Sequence, residues 1–312
     1  MIDSVLKQTY KDIMLFVSDD GSTDSTESII DDYVSKFPNK VRRIRIQKLH
    51  NGAGLHFLRA LQNNEIKCSD YVMLADQDDI WCKNKVEKSV CSIKQLESRT
   101  KGDHIPLAVF CDSVLVSDDM EMIAPSYMKY AKLNPKKATF SHLLVQNVVT
   151  GAAMIMNKDL VEMINRIPEH FVMHDHWIAL VTSAFGKIDY INEPLYMYIR
   201  HQKNTLDVKP GGVYNEIILR LRNNKNAYVR KSVREQARKN YEAMLLQAQS
   251  FEDIYGGRIR KDYARILKAY IDIPNKGMIG RVITILKYHI TCDNWYRVIG
   301  QCSFFARSRI LE

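Results

Sequence analysis

Two segments decide the fold of this chain: LFVSDDGSTD at residues 15–24 and YVMLADQDDIW at residues 71–81. Each is a short apolar run, typical of a buried strand, that ends in closely spaced aspartates. A helical pattern follows each segment. In sheets whose strands alternate with helices, ligands bind where the carboxyl ends of the strands open into loops. We therefore expect the aspartates at a binding site.

Outward from these segments, strand-like runs alternate with helical periodicity. Strands are predicted at 13–18, 42–47 and 71–75, and helices at 2–8, 24–36, 55–63 and 83–98. This alternation predicts an α/β fold with a largely parallel sheet and covering helices. The pattern is mixed further on, with strands at 107–111, 152–156, 188–191 and 196–198 and helices at 158–165 and 177–185.

Beyond Gly211 only helical periodicity continues. Helices are predicted at 214–255, 261–270, 278–289 and 295–307. A boundary near Asp207–Gly212 then divides the chain into an α/β domain, residues 1–208, and a helical region, residues 209–312.

The composition indicates a folded protein with a basic C-terminal third. The 312 residues are 46% hydrophobic and 26% charged, enough for a large core. Residues 209–312 carry 20 Lys and Arg against 9 Asp and Glu. Neither end has a long apolar run, so we expect a cytoplasmic protein. The basic third fits a peripheral contact with the inner membrane face or a solvated helical face, and no stacking-aromatic motif supports nucleic-acid binding.

The aspartates need a physical explanation beyond capping. Thr23 or Asp24 can cap the following helix and Gly21 can supply the turn, but the adjacent carboxylates of Asp19 and Asp20 repel each other unless donors are bound nearby. A nucleotide base and ribose supply such donors.

The second segment places three carboxylates within four positions. A hard divalent cation, Mg²⁺ or Mn²⁺, bridging a diphosphate would remove the repulsion among Asp76, Asp78 and Asp79. The alternative is an exposed acidic turn in which Asp79 caps the next helix.

With SDDGSTDST at 18–26 and LADQDDIW at 74–81, the chain resembles the family 2 glycosyltransferases, in the form common among bacterial rhamnosyltransferase-like enzymes. The resemblance extends from residue 2 to about residue 204 and implies a GT-A fold, here followed by the helical region. It implies that Asp19 and Asp20 contact the base and ribose, that Asp76 lies near the sugar-nucleotide, and that Asp78 coordinates the metal.

Three further segments carry the resemblance. LHNGAGLHF at 49–57 resembles the loop that packs on the nucleotide, with Gly52 in it and histidines at 50 and 56 where relatives often have asparagine. QNVVTGAA at 146–153 and MHDHW at 173–177 resemble the acceptor side, where Asp175 matches the base that deprotonates the attacking hydroxyl. Two alternatives are open: Asp175 as the N-cap of the next helix, and a transition-metal site at His174 and His176.

The last segment, YMYIRH at 196–201, resembles a motif in which a histidine approaches the metal or diphosphate. His201 is the candidate, with Arg200 as a diphosphate partner. The alternative is a surface histidine after an edge strand.

Together the resemblance implies an inverting transfer of a sugar, rhamnose or another hexose, from a UDP- or dTDP-sugar to a lipid-linked saccharide acceptor in bacterial surface polysaccharide synthesis. Relatives usually begin with an apolar strand and a loop ahead of the helix that starts at Ile2, and this sequence starts inside that helix. A start codon farther upstream, a decayed gene or a substituting segment would each explain the difference. A truncated, non-catalytic scaffold protein is the alternative function.

Overall fold

The structure is a computed structural model that describes residues 1–46, 52–100, 104–201 and 227–307. Eight strands form the framework: β1 Leu15–Val17, β2 Val41–Arg43, β3 Tyr71–Met73, β4 Ile80–Trp81, β5 Leu107–Ser117, β6 Met122–Ala124, β7 Met154–Asn157 and β8 Lys187–Arg200. The first nine α-helices are α1 Ile2–Leu6, α2 Thr26–Lys36, α3 Ala53–Ala60, α4 Asn64–Lys67, α5 Lys85–Arg99, α6 Tyr127–Ala131, α7 Phe140–Leu143, α8 Lys158–Met163 and α9 His174–Phe185.

The C-terminal region is helical throughout its described part. Its helices are α10 Ala227–Tyr255, α11 Lys261–Ile271, α12 Met278–Lys287 and α13 Trp295–Arg307. Three short 3-10 turns, Pro135–Lys137, Gly151–Ala153 and Ile273–Asn275, complete the described elements. The α/β fold class with a C-terminal helical region is thus confirmed, and it agrees with the GT-A architecture that the resemblance implies. The predicted boundary at 207–212 lies outside the described residues.

The sheet is mixed rather than largely parallel. Strands β1 and β2 pair in parallel as a two-stranded sheet, and a six-stranded sheet has the order β3-β7-β5-β8-β4 with β6 on β5. Within the larger sheet only β5 and β8 run parallel, whereas β7 pairs antiparallel with both β3 and β5. The parallel prediction rests on the local alternation of strands and helices, which carries no information about a later strand, β7, that inserts antiparallel between β3 and β5.

Strand β8 is one strand where the sequence predicts two, at 188–191 and 196–198. Its register against β5 shifts where Cys111 pairs with Ile191 and Asp112 with Pro194. Proline has no backbone N–H to donate to the ladder, so it occurs in strands mainly at edges and irregular positions. The irregularity at Pro194 interrupts the apolar pattern, which explains why the predicted strands 188–191 and 196–198 are one strand.

Helix α9 lies in the centre of the core. Ten of its twelve residues are buried, including the side chains of Trp177, Ile178 and Leu180, each 0% exposed. A helix that is apolar on all sides is covered on all sides. Strands β5 and β8 lie on one side of it, and α10 contributes Phe251 and Tyr255 to an aromatic cluster with Trp177.

The helical region therefore packs directly on the α/β part. The Tyr255 hydroxyl donates to the Met163 carbonyl at 2.9 Å, and the His170 amide donates to Ser250 Oγ at 3.0 Å. Farther along, His142 contacts the Thr291 carbonyl through Nδ1. These contacts hold the helices α10 to α13 in a fixed position relative to α7 and α9.

The turn from α9 into β8 depends on a close backbone approach at Gly186. A Cβ atom there would lie 1.6 Å from the carbonyl oxygen of Pro106, a backbone atom that cannot move alone. At Gly257 nothing lies within 4 Å of the corresponding position.

We predict that Gly186→Ala lowers the free energy of unfolding by about 1–3 kcal/mol, because the strand edge must shift to admit the methyl group. Gly257→Ala is the matched control and should change stability by less than about 0.5 kcal/mol. Urea unfolding followed by circular dichroism measures both. Equal stability of the two variants would contradict the packing at Gly186.

Candidate functional site

The first aspartate motif forms a tight turn after β1. The Asp19 carboxylate accepts hydrogen bonds from the backbone amides of Gly21 and Ser22, at 2.8 and 2.9 Å, and from the Ser22 hydroxyl. Gly21 has a positive φ of 104°, which suits glycine at this turn. Asp24 accepts from the Thr26 amide at 2.9 Å and so orders the start of α2. The turn explains the position of Asp19 in part, as expected.

The second aspartate of this motif faces α3. His56 Nδ1 lies 3.5 Å from Asp20 Oδ1, and His56 Nε2 lies 3.0 Å from Ser18 Oγ. Gly52, the residue before α3, has a positive φ of 88°, and nothing lies within 4 Å of its missing Cβ. The neighbouring His50 lies outside the described residues. The structure thus brings His56 of α3 against the end of β1.

The second aspartate motif follows β3 and is largely buried. Burial, and then the charge of Asp78, raises the pKa of Asp76 to about 6. Burial also raises the pKa of Asp79, with Asp76 and Asp78 adding to the shift. Asp79 is 0% exposed, and neither of its carboxylate oxygens has a hydrogen-bond partner among the described residues. An exposed acidic turn is therefore wrong, and Asn84 rather than Asp79 precedes α5.

Asp78 meets His201 across the end of the sheet. Strand β4 pairs antiparallel with β8, Ile80 opposite Met197, so the residues before β4 lie beside those after β8. The contact between His201 Nε2 and Asp78 Oδ2 is 2.6 Å, and both side chains are about a quarter exposed. Arg200 Nη1 lies 3.4 Å from the Tyr130 hydroxyl. The structure thus brings Asp78 and His201, which are 123 residues apart in the sequence, into one site.

The donor set of this site fits part of the shell of a divalent cation. Nowhere in the described ranges do three His, Cys, Asp or Glu side chains lie close enough together to hold a metal ion by themselves. Mg²⁺ needs only one or two protein carboxylates when phosphate and water complete its shell. Asp78 and His201, beside the unsatisfied oxygens of Asp79, match such an incomplete protein shell.

Asp175 is a buried carboxylate in the first turn of α9. Its Oδ2 accepts from the Gly151 amide at 3.2 Å and its Oδ1 from the His176 amide at 2.6 Å. Burial raises the pKa of Asp175 to about 7, the two backbone hydrogen bonds oppose the shift, and the charge of Asp76 adds to it. The third motif therefore lies within electrostatic range of the second.

Both alternatives for the third motif are resolved by the geometry. The helix begins at His174 with Met173 as its N-cap, so Asp175 lies inside the helix and is not its cap. His176 Nε2 contacts the Leu143 carbonyl at 2.6 Å, whereas the His174 ring stacks on Phe57 with centroids 4.4 Å apart. Burial lowers the pKa of each histidine to about 4, and the two rings have different surroundings. The described geometry does not support a metal site shared by this pair.

Close packing of α3 on α9 connects the first and third motifs. Besides the Phe57–His174 stack, a Cβ on Gly54 would lie 3.1 Å from Phe171 and 3.4 Å from Met173. A Cβ on Gly151 would lie 2.5 Å from His174 Nε2. Glycine therefore permits the approach that lets the Gly151 amide reach Asp175.

Lys85, the first residue of α5, belongs to the site but is not among the residues predicted from the sequence. Its side chain is 0% exposed, its Nζ lies 3.6 Å from the centroid of the Trp81 ring, and it donates to the Ala152 carbonyl. Ala152 belongs to the same 3-10 turn as Gly151, so Lys85 fixes the turn whose amide holds Asp175.

The position of Lys85 could have been recognised from helical spacing. It is in phase with Ser89, Ile93 and Leu96, all buried, so α5 turns a lysine toward the core. Burial lowers the pKa of Lys85, and the nearby aspartates oppose that shift. A buried ammonium beside Asp76 and Asp79 reduces the electrostatic cost of the acidic motif.

The sequence model of the family described as Glycosyl transferase family 2 matches residues 1–100. The dTDP-rhamnosyl transferase RfbG of Shigella flexneri is 33% identical over 89 residues, 28% of this chain and 31% of that protein. The uncharacterized glycosyltransferase RP339 of Rickettsia prowazekii is 26% identical over 179 residues, 56% of this chain and 51% of that protein. The chain thus spans about a quarter to a half of the length of the curated relatives that it matches.

Among solved structures, that of S. aureus TarS 1-349 in complex with UDP has a TM-score of 0.49 and 15% sequence identity, and the match covers 93% of this chain and 86% of that one.

We predict that Lys85→Met lowers the free energy of unfolding by about 1–3 kcal/mol, because the buried Ala152 carbonyl loses its donor while methionine keeps most of the packing. The matched control on the same helix is Lys88→Met, whose ion pair with Glu193 is largely solvent-exposed and should contribute at most about 1 kcal/mol.

A double-mutant cycle measures the electrostatic interaction between Lys85 and Asp79 separately from the loss of the hydrogen bond to Ala152. If Lys85 balances Asp79, then Asp79→Asn should destabilise the wild type more than it destabilises Lys85→Met. Urea titrations of the four proteins give the coupling energy. The same cost for Lys85→Met as for Lys88→Met, or no coupling to Asp79, would contradict this role.

Proposed function

We propose that this chain, whose residues 1–100 belong to glycosyl transferase family 2, transfers a hexosyl group from a nucleoside-diphosphate sugar to a saccharide hydroxyl. One observation carries the proposal: the Gly151 amide holds Asp175 in the same turn whose Ala152 carbonyl accepts from Lys85, and Lys85 packs on Trp81 at the end of the acidic motif. A base and a diphosphate site on either side of a reacting carbon are what an in-line displacement requires.

In the proposed reaction, an acceptor hydroxyl oxygen attacks the anomeric carbon of the donor sugar and forms the new glycosidic bond. The bond from that carbon to the diphosphate oxygen breaks, and the nucleoside diphosphate leaves with the electron pair. Asp175 Oδ takes the hydroxyl proton. A carboxylate with a pKa near 7 is well matched to this transfer, since it is basic enough to accept a proton and still substantially ionised.

The nucleotide would bind between the first and second motifs. Asp20, beside His56, and Asp19, in the turn after β1, would accept hydrogen bonds from the base and ribose, with the backbone at Gly52 close to the nucleotide. Asp76 would contact the sugar-nucleotide, and Arg200 the diphosphate. Each role rests on the motif resemblance together with the position of these residues around α3 and the ends of β3 and β8.

Asp78 and His201 would hold Mg²⁺ or Mn²⁺. When bound, such a cation supplies Lewis-acid stabilisation of the leaving diphosphate. The protein's own contribution is to keep the Asp78 carboxylate in place, through its 2.6 Å contact with His201, at the end of the sheet nearest the reacting groups.

The donor is best matched by a dTDP-sugar, since the relative that is 33% identical over 89 residues is a dTDP-rhamnosyl transferase, and a UDP-sugar is the next candidate. Rhamnose is accordingly the sugar that we propose, and a lipid-linked saccharide of bacterial surface polysaccharide synthesis the acceptor. The protein would act at the cytoplasmic membrane face.

We predict that Asp175→Asn lowers the rate of sugar transfer by about 10²–10⁴-fold, the usual contribution of a general base, while donor affinity stays within a few-fold. The control is Asp189→Asn, a carboxylate that is 42% exposed and paired with Arg99, which should keep full activity. Transfer is followed with radiolabelled dTDP-rhamnose and donor binding by calorimetry. Loss of donor binding in Asp175→Asn would remove this residue from the base role, and unchanged transfer would overturn the mechanism.

The pH dependence of kcat gives a second prediction. A base acts as the ionised carboxylate, which is populated above its pKa, so kcat should rise with pH through about 7 and level off above that value. An acidic limb near the ordinary aspartate value of about 4 would show that the base is a solvated carboxylate rather than buried Asp175.

A further inference from the structure

The last two helices expose an unusual amount of apolar surface. Of the thirteen large hydrophobic side chains that are exposed in the described part of the chain, six lie on α12 and α13. They are Met278 (64% exposed), Ile279 (76%), Ile283 (56%), Leu286 (50%), Trp295 (76%) and Ile299 (60%). Grouped apolar side chains on a protein surface mark an interaction site more often than scattered ones do.

These side chains form a second apolar face on helices that already have one face in the core. On α12, Ile279, Ile283 and Leu286 follow the spacing i, i+4 and i+7 of one helical face, whereas Ile285 is fully buried. On α13, Trp295 and Ile299 are exposed while Phe305 is buried. The core therefore accounts for only one of the two faces, and with respect to the described residues the six side chains of the outer face are each at least 50% exposed.

A lysine-rich segment lies beside this outer face. Residues 129–137 read KYAKLNPKK, with four lysines and no acid. Asn294 Nδ2 donates to the Lys132 carbonyl at 3.1 Å, and Arg297 Nη2 donates to the Ala131 carbonyl at 3.0 Å. The segment is thus held against the start of α13.

The charge around the outer face is mostly positive. Residues 129–137 and 276–306 together contain eight Lys and Arg and a single acid, Asp293. Asp293 is only 9% exposed, and it accepts hydrogen bonds from the Asn134 amide and Gln146 Nε2, both at 3.1 Å. Its carboxylate is therefore mostly buried. Asp272, just outside these ranges, pairs with Lys276 at 3.7 Å, so the two ranges carry a clear excess of positive charge.

We propose that α12, α13 and the segment 129–137 form a surface that docks on a membrane containing anionic phospholipids. Apolar side chains on helices that lie in the interface, flanked by Lys and Arg, bind such membranes by burying apolar area and by attraction to the lipid headgroups. None of the helices in the described ranges has both the length and the apolar character of a membrane span.

Two other occupants fit the surface less well. A second copy of the chain, placed with twofold symmetry, would bring the same positive surface against itself, and like charges would face each other. Nucleic acid would neutralise the lysines but would leave the aliphatic side chains of α12 exposed to water. An anionic lipid surface satisfies both features.

The docking surface is connected to the proposed acceptor side of the active site. The Asp293 amide donates to Gln146 Oε1 at 3.0 Å, and His142 contacts the Thr291 carbonyl. Leu143 lies between His142 and Gln146 in the sequence, and its carbonyl contacts His176, the residue after Asp175. This inference deepens the proposed function, on which it rests for its purpose, because docking would bring a lipid-carried acceptor to the side of Asp175.

The test is cosedimentation of the full chain with vesicles of phosphatidylcholine alone or mixed with phosphatidylglycerol. We expect binding to the mixed vesicles only, falling as salt is raised. The triple variant Ile279→Gln, Ile283→Gln and Trp295→Gln should bind the mixed vesicles at least tenfold more weakly. The matched control, Ile29→Gln, Met122→Gln and Ile167→Gln, changes exposed apolar side chains elsewhere and should bind like the wild type.

Each outcome is decisive for the surface. No binding by the wild type, or equal binding by both triple variants, would overturn the proposal. Self-association in solution that the first triple variant abolishes, without lipid binding, would assign the surface to a second copy instead. Thermal melting checks that both variants are folded. Because vesicle binding is measured without donor or acceptor, its failure would leave sugar transfer untouched, and a failure of transfer would leave the lipid result standing.

Discussion

The concentration of poorly solvated carboxylates at one end of the sheet is the constraint on which the rest of this structure depends. Asp76 and Asp79 follow one strand, and Asp175 lies in the first turn of a helix packed against the same site. Burial raises the pKa of all three. Ionisation of each carboxyl group therefore costs free energy unless a compensating charge or hydrogen-bond donor is present. Backbone amides serve Asp175, whereas Asp79 has none among the described residues.

Lys85 is the only lysine or arginine that is buried in the described part of the chain, and its position follows from this constraint. Its ammonium group lies against Trp81 and Tyr196, near Asp76 and Asp79. The hydrogen bond that it donates to the Ala152 carbonyl fixes the turn that holds Asp175. One buried cation thus supports both halves of the site. A bound cation and diphosphate would complete the compensation, which explains why such an arrangement suits a binding site better than a structural core.

Local features of the fold were predictable, and pairing was not. The helices at 85–99, 261–271 and 295–307 begin and end within two residues of prediction, because apolar periodicity and capping are encoded locally. The antiparallel insertion of β7 between β3 and β5 was missed because strand order depends on contacts between distant segments. The continuity of β8 was missed as well, because the irregular position at Pro194 interrupts the apolar pattern of the strand.

The candidate site divides in the same way. Asp19, Asp76 and Asp78 could be predicted as binding-site candidates because each follows the end of a predicted strand, and both residue type and strand boundary can be read from the sequence. The contact of His201 with Asp78 was foreseen only through family resemblance, and the register of β4 on β8 supplies its physical reason. Lys85 was missed because a lysine on an apolar face is ordinarily taken as a surface residue.

We propose above that the acidic motif after β3 would bind a donor diphosphate through a divalent cation. Calorimetric titration of the chain with dTDP-rhamnose and UDP-sugars, with and without Mn²⁺, tests it most directly when Asp78→Asn and the exposed control Asp118→Asn are run in parallel. The account predicts Mn²⁺-dependent binding by the wild type and by Asp118→Asn, and at least a tenfold loss of affinity in Asp78→Asn. Binding that needs no metal and is unaffected by Asp78→Asn, or no binding of any nucleotide sugar, would contradict it.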